Sequence, residues 1–165
     1  MEKNAQSPGA TGIKRNAVKS GVRPRLPLII LVAWALFQIP RFGAIPIISN
    51  VLAGIDPAAW LFPAIGDIVI ATAAPFVAFA IWRKTGLGVW VATLIWLSLS
   101  VFDHMSTIAA ALTTPAPQIF GGGGISVSNA AFPFFQAVID AVLLILLTRG
   151  NMKAYFLDVQ RDLEA

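Results

Sequence analysis

Four long apolar stretches constrain the fold of this chain more than any other feature. They lie at approximately residues 26–41, 57–82, 86–112 and 130–148, and the first is interrupted near Pro40. A helix of about 20 mostly apolar residues crosses the roughly 30 Å hydrocarbon core of a bilayer. The chain has 165 residues, of which 57% are hydrophobic and 12% are charged, whereas about 25% are charged in an average soluble domain. The sequence therefore predicts an all-α integral membrane protein, in which residues 25–149 fold as a four-transmembrane-helix bundle.

The basic residues predict how the four spans are oriented. Eleven of the twelve Lys and Arg residues flank the spans on one side, and Arg41 is the exception. The eleven are Lys3, Lys14, Arg15, Lys19, Arg23, Arg25, Arg83, Lys84, Arg149, Lys153 and Arg161. Because short loops rich in Lys and Arg are retained in the cytoplasm, we expect both termini to be cytoplasmic, in a multi-pass protein of the plasma membrane.

Composition predicts the character of the segments outside the spans. Residues 1–24 are rich in Gly, Ser, Asn and Lys and predict a flexible basic cytoplasmic tail. Their charge suits anionic lipid headgroups, so we expect the lipid bilayer, and not a nucleic acid, as a partner. Residues 42–56 are too apolar for a solvated loop and predict a short interfacial or re-entrant piece. Apolar residues at helical intervals in 150–165 predict a short amphipathic cytoplasmic tail helix.

Each predicted span contains at least one polar side chain that is costly to place in lipid. A charged group that faces lipid at the centre of a helix costs about 2.5–3.5 kcal/mol, so we expect these groups to converge inside the bundle. They are the candidate transport or ion-binding residues: Asp67, Asp103, His104, Asp140, Arg41, Gln38 and Gln136.

The positions of these residues along the spans predict two levels in the cluster. On the third span, polar groups recur at intervals of three and four residues and form one stripe, made of Ser100, Asp103, His104 and Thr107. We expect Arg41 and His104 to face Asp103 in the outer half of the bilayer. Asp67 and Asp140 fall near the midplane, and we expect them to meet there.

Three functions are compatible with such a cluster. The leading hypothesis is proton- or cation-linked transport or binding of a small solute, through a polar site open to the external side. A lone four-helix bundle rarely encloses a complete transport path, so this hypothesis implies a homo-oligomer or a larger membrane complex. The alternative is an accessory or structural subunit of a membrane complex, in which the polar residues serve helix packing. The third is a membrane enzyme that acts on a lipid or a quinone.

The residue inventory argues against several kinds of enzyme. The chain contains no cysteine and a single histidine, His104, so it lacks the ligands of a typical zinc site. Asp103 and His104 are adjacent on a helix and point about 100° apart, so they do not form a hydrolase triad. We therefore assign no catalytic residue and no metal ligand, and the sequence identifies no cofactor.

Overall fold

The computed structural model describes residues 25–83 and 86–161, and these residues form helices joined by short connections, with no strand among them. The residues of the predicted basic tail, 1–24, lie outside the described part of the chain. Six α-helices follow one another: α1 Arg25–Phe37, α2 Ile45–Leu52, α3 Leu61–Arg83, α4 Leu87–Thr113, α5 Val127–Thr148 and α6 Gly150–Arg161. Three 3-10 helices lie between them, at Ile39–Ala44, Ala58–Trp60 and Gln118–Phe120.

Four helical segments are long and apolar enough to cross a membrane, as the sequence predicts. They are Leu26–Leu52, Ala58–Arg83, Leu87–Thr113 and Val127–Thr148. The all-α class is confirmed as well. Only 28–39% of the most apolar part of each segment is buried inside the protein, so most of the apolar surface of the four segments faces outward.

The first segment changes its helical geometry in the middle. Pro40 has no N–H group, and its ring clashes with the preceding turn of an α-helix, so α1 ends at Phe37. The chain then continues as a 3-10 helix over Ile39–Ala44, with Pro40 at its start. A second proline, Pro46, lies at the start of α2, where a missing N–H group costs nothing. The helical path therefore extends to Leu52, past the predicted end of the span near residue 41.

The helices alternate in direction between two ends of the bundle. We call the end with residues 53–60 and 114–126 the loop end, and the end with Arg25, Arg83 and Arg149 the terminal end. Two hydrogen bonds join the connections at the loop end. Asp56 Oδ1 accepts from the backbone N–H of Gln118 at 2.8 Å, and Trp60 Nε1 donates to the carbonyl oxygen of Pro115 at 2.8 Å.

The buried apolar residues form two clusters, one toward each end. The cluster of the terminal end includes Leu28, Ile81, Leu97 and Leu147, and that of the loop end includes Ile47, Trp60, Ala64 and Ala110. The polar cluster described below lies between them along the helices. A polar layer therefore divides the apolar core of the bundle.

Helix α6 packs on the terminal end of the bundle. Its side chains Met152 and Phe156 are buried in the apolar cluster of that end. Lys153 places its ammonium group 5.5 Å from the ring centre of Trp90, whose Nε1 donates to the carbonyl oxygen of Leu147 at 3.0 Å. The tail helix is therefore anchored to α4 and α5 by its apolar face.

Candidate functional site

The guanidinium group of Arg41 is the centre of the polar cluster. Its Nε donates to Oε1 of Gln38 at 2.5 Å. Its Nη1 contacts two carboxylates, Oδ1 of Asp67 at 3.0 Å and Oδ2 of Asp103 at 2.7 Å. Because both carboxylates share one nitrogen, Arg41 joins α3 and α4 at a single point.

The second terminal nitrogen of Arg41 contacts α4 alone. Its Nη2 donates to Oγ of Ser100 at 3.0 Å and lies 2.5 Å from Nε2 of His104. A guanidinium has five N–H donors in a fixed fork, and Nε, Nη1 and Nη2 together meet five side chains, of which His104 has both ring nitrogens near Nη2. Every donor of Arg41 is therefore matched by an acceptor inside the protein.

The break in the first segment positions this arginine. Residues 34, 38 and 41 are spaced by four and three, so Trp34, Gln38 and Arg41 lie on one side of α1 and of the 3-10 helix that follows. Of these side chains, Gln38 is fully buried and Arg41 is 7% exposed. The 3-10 helix thus places Arg41 inside the bundle, where α3 and α4 provide its counter-charges.

Asp103 can reach Arg41 because Gly66 has no side chain. A Cβ atom built on Gly66 would lie 1.9 Å from Oδ1 of Asp103, far inside van der Waals contact. Asp103 is buried, whereas Asp67 keeps 25% of its side chain exposed. The two carboxylates therefore share Arg41 but differ in their access to solvent.

A second group of contacts lies around Asp140 on α5. Its Oδ1 accepts a hydrogen bond from Nε1 of Trp34, and its Oδ2 lies 3.3 Å from Nε2 of His104. Asp140 is fully buried. The polar cluster consequently links α1, the 3-10 helix after it, and α3, α4 and α5.

Several buried polar atoms of the cluster have no hydrogen-bond partner. They are Nε2 of Gln38, Oδ1 of Asp103 and Oδ2 of Asp140. Buried polar atoms in folded proteins are nearly always paired, and an unpaired one costs about 1–3 kcal/mol. The cluster thus retains hydrogen-bonding capacity that the contacts among its own side chains do not use.

A cavity of about 540 Å³ extends from the cluster toward the loop end. Arg41, Asp67 and His104 lie on its polar side, together with Gln136 of α5. Its remaining walls are mostly apolar and include residues of the 3-10 helices at the loop end. Binding pockets for small molecules have similar volumes, about 300–1,000 Å³, and a similar combination of apolar walls with a few polar groups.

No protein-family model, curated protein or solved structure matches the chain. Among the described residues, moreover, no group of three or more His, Cys, Asp or Glu side chains is arranged to hold a metal ion.

Six of the seven candidate residues are linked by the contacts above, and Gln136 lines the adjoining cavity. The expected pairing of Asp67 with Asp140 at the lower level of the cluster is wrong. Asp67 pairs with Arg41, and Asp140 pairs with His104 and Trp34; the two carboxylates do not pair with each other among the described contacts. The reason is that Arg41 reaches Asp67 from the 3-10 helix, which the sequence predicts only as an interruption.

Ser100, which bonds Arg41, is named from the sequence only as part of the polar stripe, and two further residues of the site, Trp34 and Gly66, are not predicted from the sequence at all. Trp34 is missed because its large apolar ring gives no indication of a hydrogen bond to a buried carboxylate. The signal that could have found it is the spacing of residues 34, 38 and 41 on one helix face. Gly66 is missed because a single glycine in a helix has many explanations, although its position next to Asp67 marks a place where helices approach closely.

Proposed function

We propose that the protein is an integral membrane protein that binds a small solute in the loop-end cavity and moves it in a proton- or cation-linked manner. The proposal includes the plasma membrane as location, cytoplasmic termini and a loop end that faces the exterior. Support for a membrane location comes from the large apolar side chains exposed on the four long helices, such as Phe62, Phe76, Phe102, Phe135 and Ile145. Exposed apolar surfaces of this extent are typical of membrane or protein contacts.

The position of His104 carries the proton-linked part of the proposal. Its Nε2 atom lies between Nη2 of Arg41, at 2.5 Å, and Oδ2 of Asp140, at 3.3 Å. A ring nitrogen holds either a lone pair or a proton. Nε2 therefore accepts from Arg41 when it is unprotonated, and it donates to Asp140 when it is protonated. The bonds of Nε2 to Arg41 and to Asp140 exclude each other, and Nδ1 of the same ring lies farther from Nη2 of Arg41, at 3.4 Å.

Protonation of His104 thus has a defined consequence for the cluster. When Nε2 carries no proton, Oδ2 of Asp140 is one of the buried oxygens without a hydrogen-bond partner. A proton that binds Nε2 removes the lone pair that Nη2 of Arg41 meets there and gives Asp140 a donor. The acidic groups Asp67 and Asp103 remain on Arg41 Nη1 and provide its counter-charge.

The same arginine connects the proton site to the cavity. Arg41 bonds His104 through one terminal nitrogen and Asp67 through the other, and Asp67 has the more exposed carboxylate of the pair that Arg41 holds. A shift of Arg41 away from protonated His104 changes the charge that a solute meets at Asp67. This geometry supports linkage between solute binding and protonation, since both act on one guanidinium group.

The experiment is ion flux into liposomes that contain the purified protein. Fluxes of protons, Na⁺ and K⁺ are compared for the wild type, His104→Gln and Asp140→Asn after equal folding has been established. Asp56→Asn is the matched control, because Asp56 is a buried carboxylate outside the cluster, and an asparagine keeps the oxygen that accepts from Gln118. We expect flux in the wild type and the control and its loss in both cluster variants. Equal flux in all four proteins, or none in any, overturns the proposal.

A second function is favoured by one observation, the complete use of the five donors of Arg41. Arg41 thereby connects its own 3-10 helix to α3 and α4. A purely structural connection of this kind suits an accessory or structural subunit of a membrane complex. Under this function the polar residues specify packing. The variants above would then lower thermal stability without changing ion flux. Assembly into a homo-oligomer or a larger complex is part of both proposals, because the apolar outer surface is available to a neighbour as well as to lipid.

A further inference from the structure

Aromatic rings form much of the wall of the loop-end cavity. They are Phe37, Trp60, Phe120 and Phe132. Trp60 is held in place by the hydrogen bond from its Nε1 to Pro115, so its ring is a fixed part of the wall. The faces of aromatic rings carry partial negative charge and attract cations within about 6 Å. The wall is therefore apolar and also suited to a positive charge.

The charged side chains that line the cavity differ in what they offer to a ligand. Arg41 is 7% exposed, and its donors are already bonded within the protein. The side chain of His104 is 3% exposed. Asp67 is 25% exposed, with one of its oxygens bonded to Arg41. The accessible charge of the cavity is consequently that of a carboxylate.

The formal charge of the whole cluster is negative as well. Asp67, Asp103 and Asp140 are three carboxyl groups and Arg41 is one guanidinium, so the ionised cluster has a formal charge of −2 when His104 is neutral. An anionic ligand in the cavity would be repelled by this charge, because the apolar walls weaken the screening by water. A cation would be attracted to it.

We propose that the cavity binds a small organic cation: an ammonium group that lies against Asp67, with an apolar substituent among the aromatic rings. This inference rests on the proposed function and names the class of its solute. The volume of about 540 Å³ is large enough for a ligand with one aromatic ring or a short hydrocarbon chain. A quaternary ammonium is the simplest member of the class, because it carries its charge at every pH.

The first test compares two probes of similar size and opposite charge, phenyltrimethylammonium and benzenesulfonate. Equilibrium dialysis of each radiolabelled probe against the purified protein in a nonionic detergent measures the dissociation constant. We expect phenyltrimethylammonium to bind at least about tenfold more tightly than benzenesulfonate. Equal binding of the two probes, or tighter binding of the sulfonate, overturns the inference, and this comparison requires no variant.

Two variants separate the contribution of the carboxylate to binding from that of the aromatic wall. Asp67→Asn removes the accessible negative charge and should weaken binding of phenyltrimethylammonium about tenfold or more. Phe132→Leu keeps an apolar side chain but removes a ring at a position that is 64% exposed, so it should weaken the binding several-fold without affecting folding. Asp56→Asn, which does not line the cavity, should bind as the wild type does. Unchanged binding in both Asp67→Asn and Phe132→Leu contradicts the inference.

Ion flux and probe binding together distinguish a failure of this inference from a failure of the proposed function. If ion flux depends on His104 and Asp140 while phenyltrimethylammonium does not bind, the solute class is wrong and the proton-linked function stands. If phenyltrimethylammonium binds and requires Asp67 but no variant of the cluster alters ion flux, the site is correct and the transport function is wrong.

Discussion

Gly66 on α3 faces Asp103 on α4 so closely that any side chain at residue 66 would overlap the carboxylate. Replacement by alanine must move either the helix or the aspartate that bonds Arg41 at 2.7 Å. We expect Gly66→Ala to destabilise the protein by about 1–3 kcal/mol, the usual cost of overpacking. Unfolding in mixed detergent micelles measures the change.

Gly88 provides the matched control for this substitution. It also lies in a helix, near the start of α4, and nothing lies within 4 Å of a Cβ atom built on it. Because alanine favours helix more than glycine does, Gly88→Ala should be neutral or stabilising by up to about 1 kcal/mol. Equal destabilisation by the two substitutions would show that the close contact of Gly66 with Asp103 does not govern stability.

Arg41 should be irreplaceable even by lysine. Its fork bonds Asp67 and Asp103 through one nitrogen and Ser100 and His104 through another, whereas lysine presents three donors from a single atom. Removing one partner of a buried ion pair costs about 3–5 kcal/mol. Unfolding midpoints should therefore fall for Arg41→Lys and fall further for Arg41→Gln.

A second substitution tests the cause of that loss. Arg41→Gln leaves two carboxylates without their common counter-charge, and Asp103→Asn removes one of them. The double variant Arg41→Gln/Asp103→Asn should therefore be more stable than Arg41→Gln alone. If the second substitution only adds to the loss, the charge of Asp103 is not the reason that the arginine is required.

The sequence predicts the fold class and much of the site because both follow from the cost of exposing groups to lipid. Apolar stretches of about 20 residues specify helices that can cross a membrane, and aspartates within them must find partners. Arg41 accordingly contacts Asp103 as expected, whereas the carboxylate beside His104 is that of Asp140. These predictions need only the length and the polarity of each segment.

The pairing within the site could not be predicted in the same way. Which carboxylate meets which partner depends on helix rotation and on the path of the chain around Pro40, and both are set by packing. The 3-10 helix brings Arg41 to Asp67, and the rotation of α1 brings Trp34 to Asp140. The length and polarity of a segment do not determine how its helix is rotated about its own axis.

The hydrogen bond from Trp34 to Asp140 should depend on the carboxylate. Trp34→Phe removes the donor and keeps an aromatic ring, and its expected cost is about 0.5–2 kcal/mol, since polar contacts between membrane helices are worth little more. In a double-mutant cycle, Trp34→Phe should cost less when Asp140→Leu, which removes the accepting oxygen, is already present. Trp96→Phe is the control, because Trp96 donates to a backbone oxygen of Ile70. Additive effects of Trp34→Phe and Asp140→Leu would contradict the coupling.

Asp56 should control the mobility of the connection that borders the cavity. Its Oδ1 accepts from the backbone N–H of Gln118, at the start of the 3-10 helix that carries Phe120. Asp56→Ala removes the acceptor, so hydrogen–deuterium exchange at Gln118 should accelerate at least about tenfold. Asp56→Asn keeps an oxygen in this position and should retain slow exchange. Rapid exchange in the wild type, or equal exchange in the two variants, would show that the bond does not hold the connection.

The proposed topology, with both termini cytoplasmic, can be tested with single cysteines, because the chain contains none. Gly124→Cys lies at the loop end and Gly150→Cys at the terminal end, and both positions have open space for a side chain. In sealed right-side-out vesicles, a membrane-impermeant maleimide should label Gly124→Cys at once and Gly150→Cys only after permeabilisation. The reverse result would invert the orientation that the basic residues predict. Immediate labelling of both positions would contradict placement of the two ends on opposite sides of the membrane.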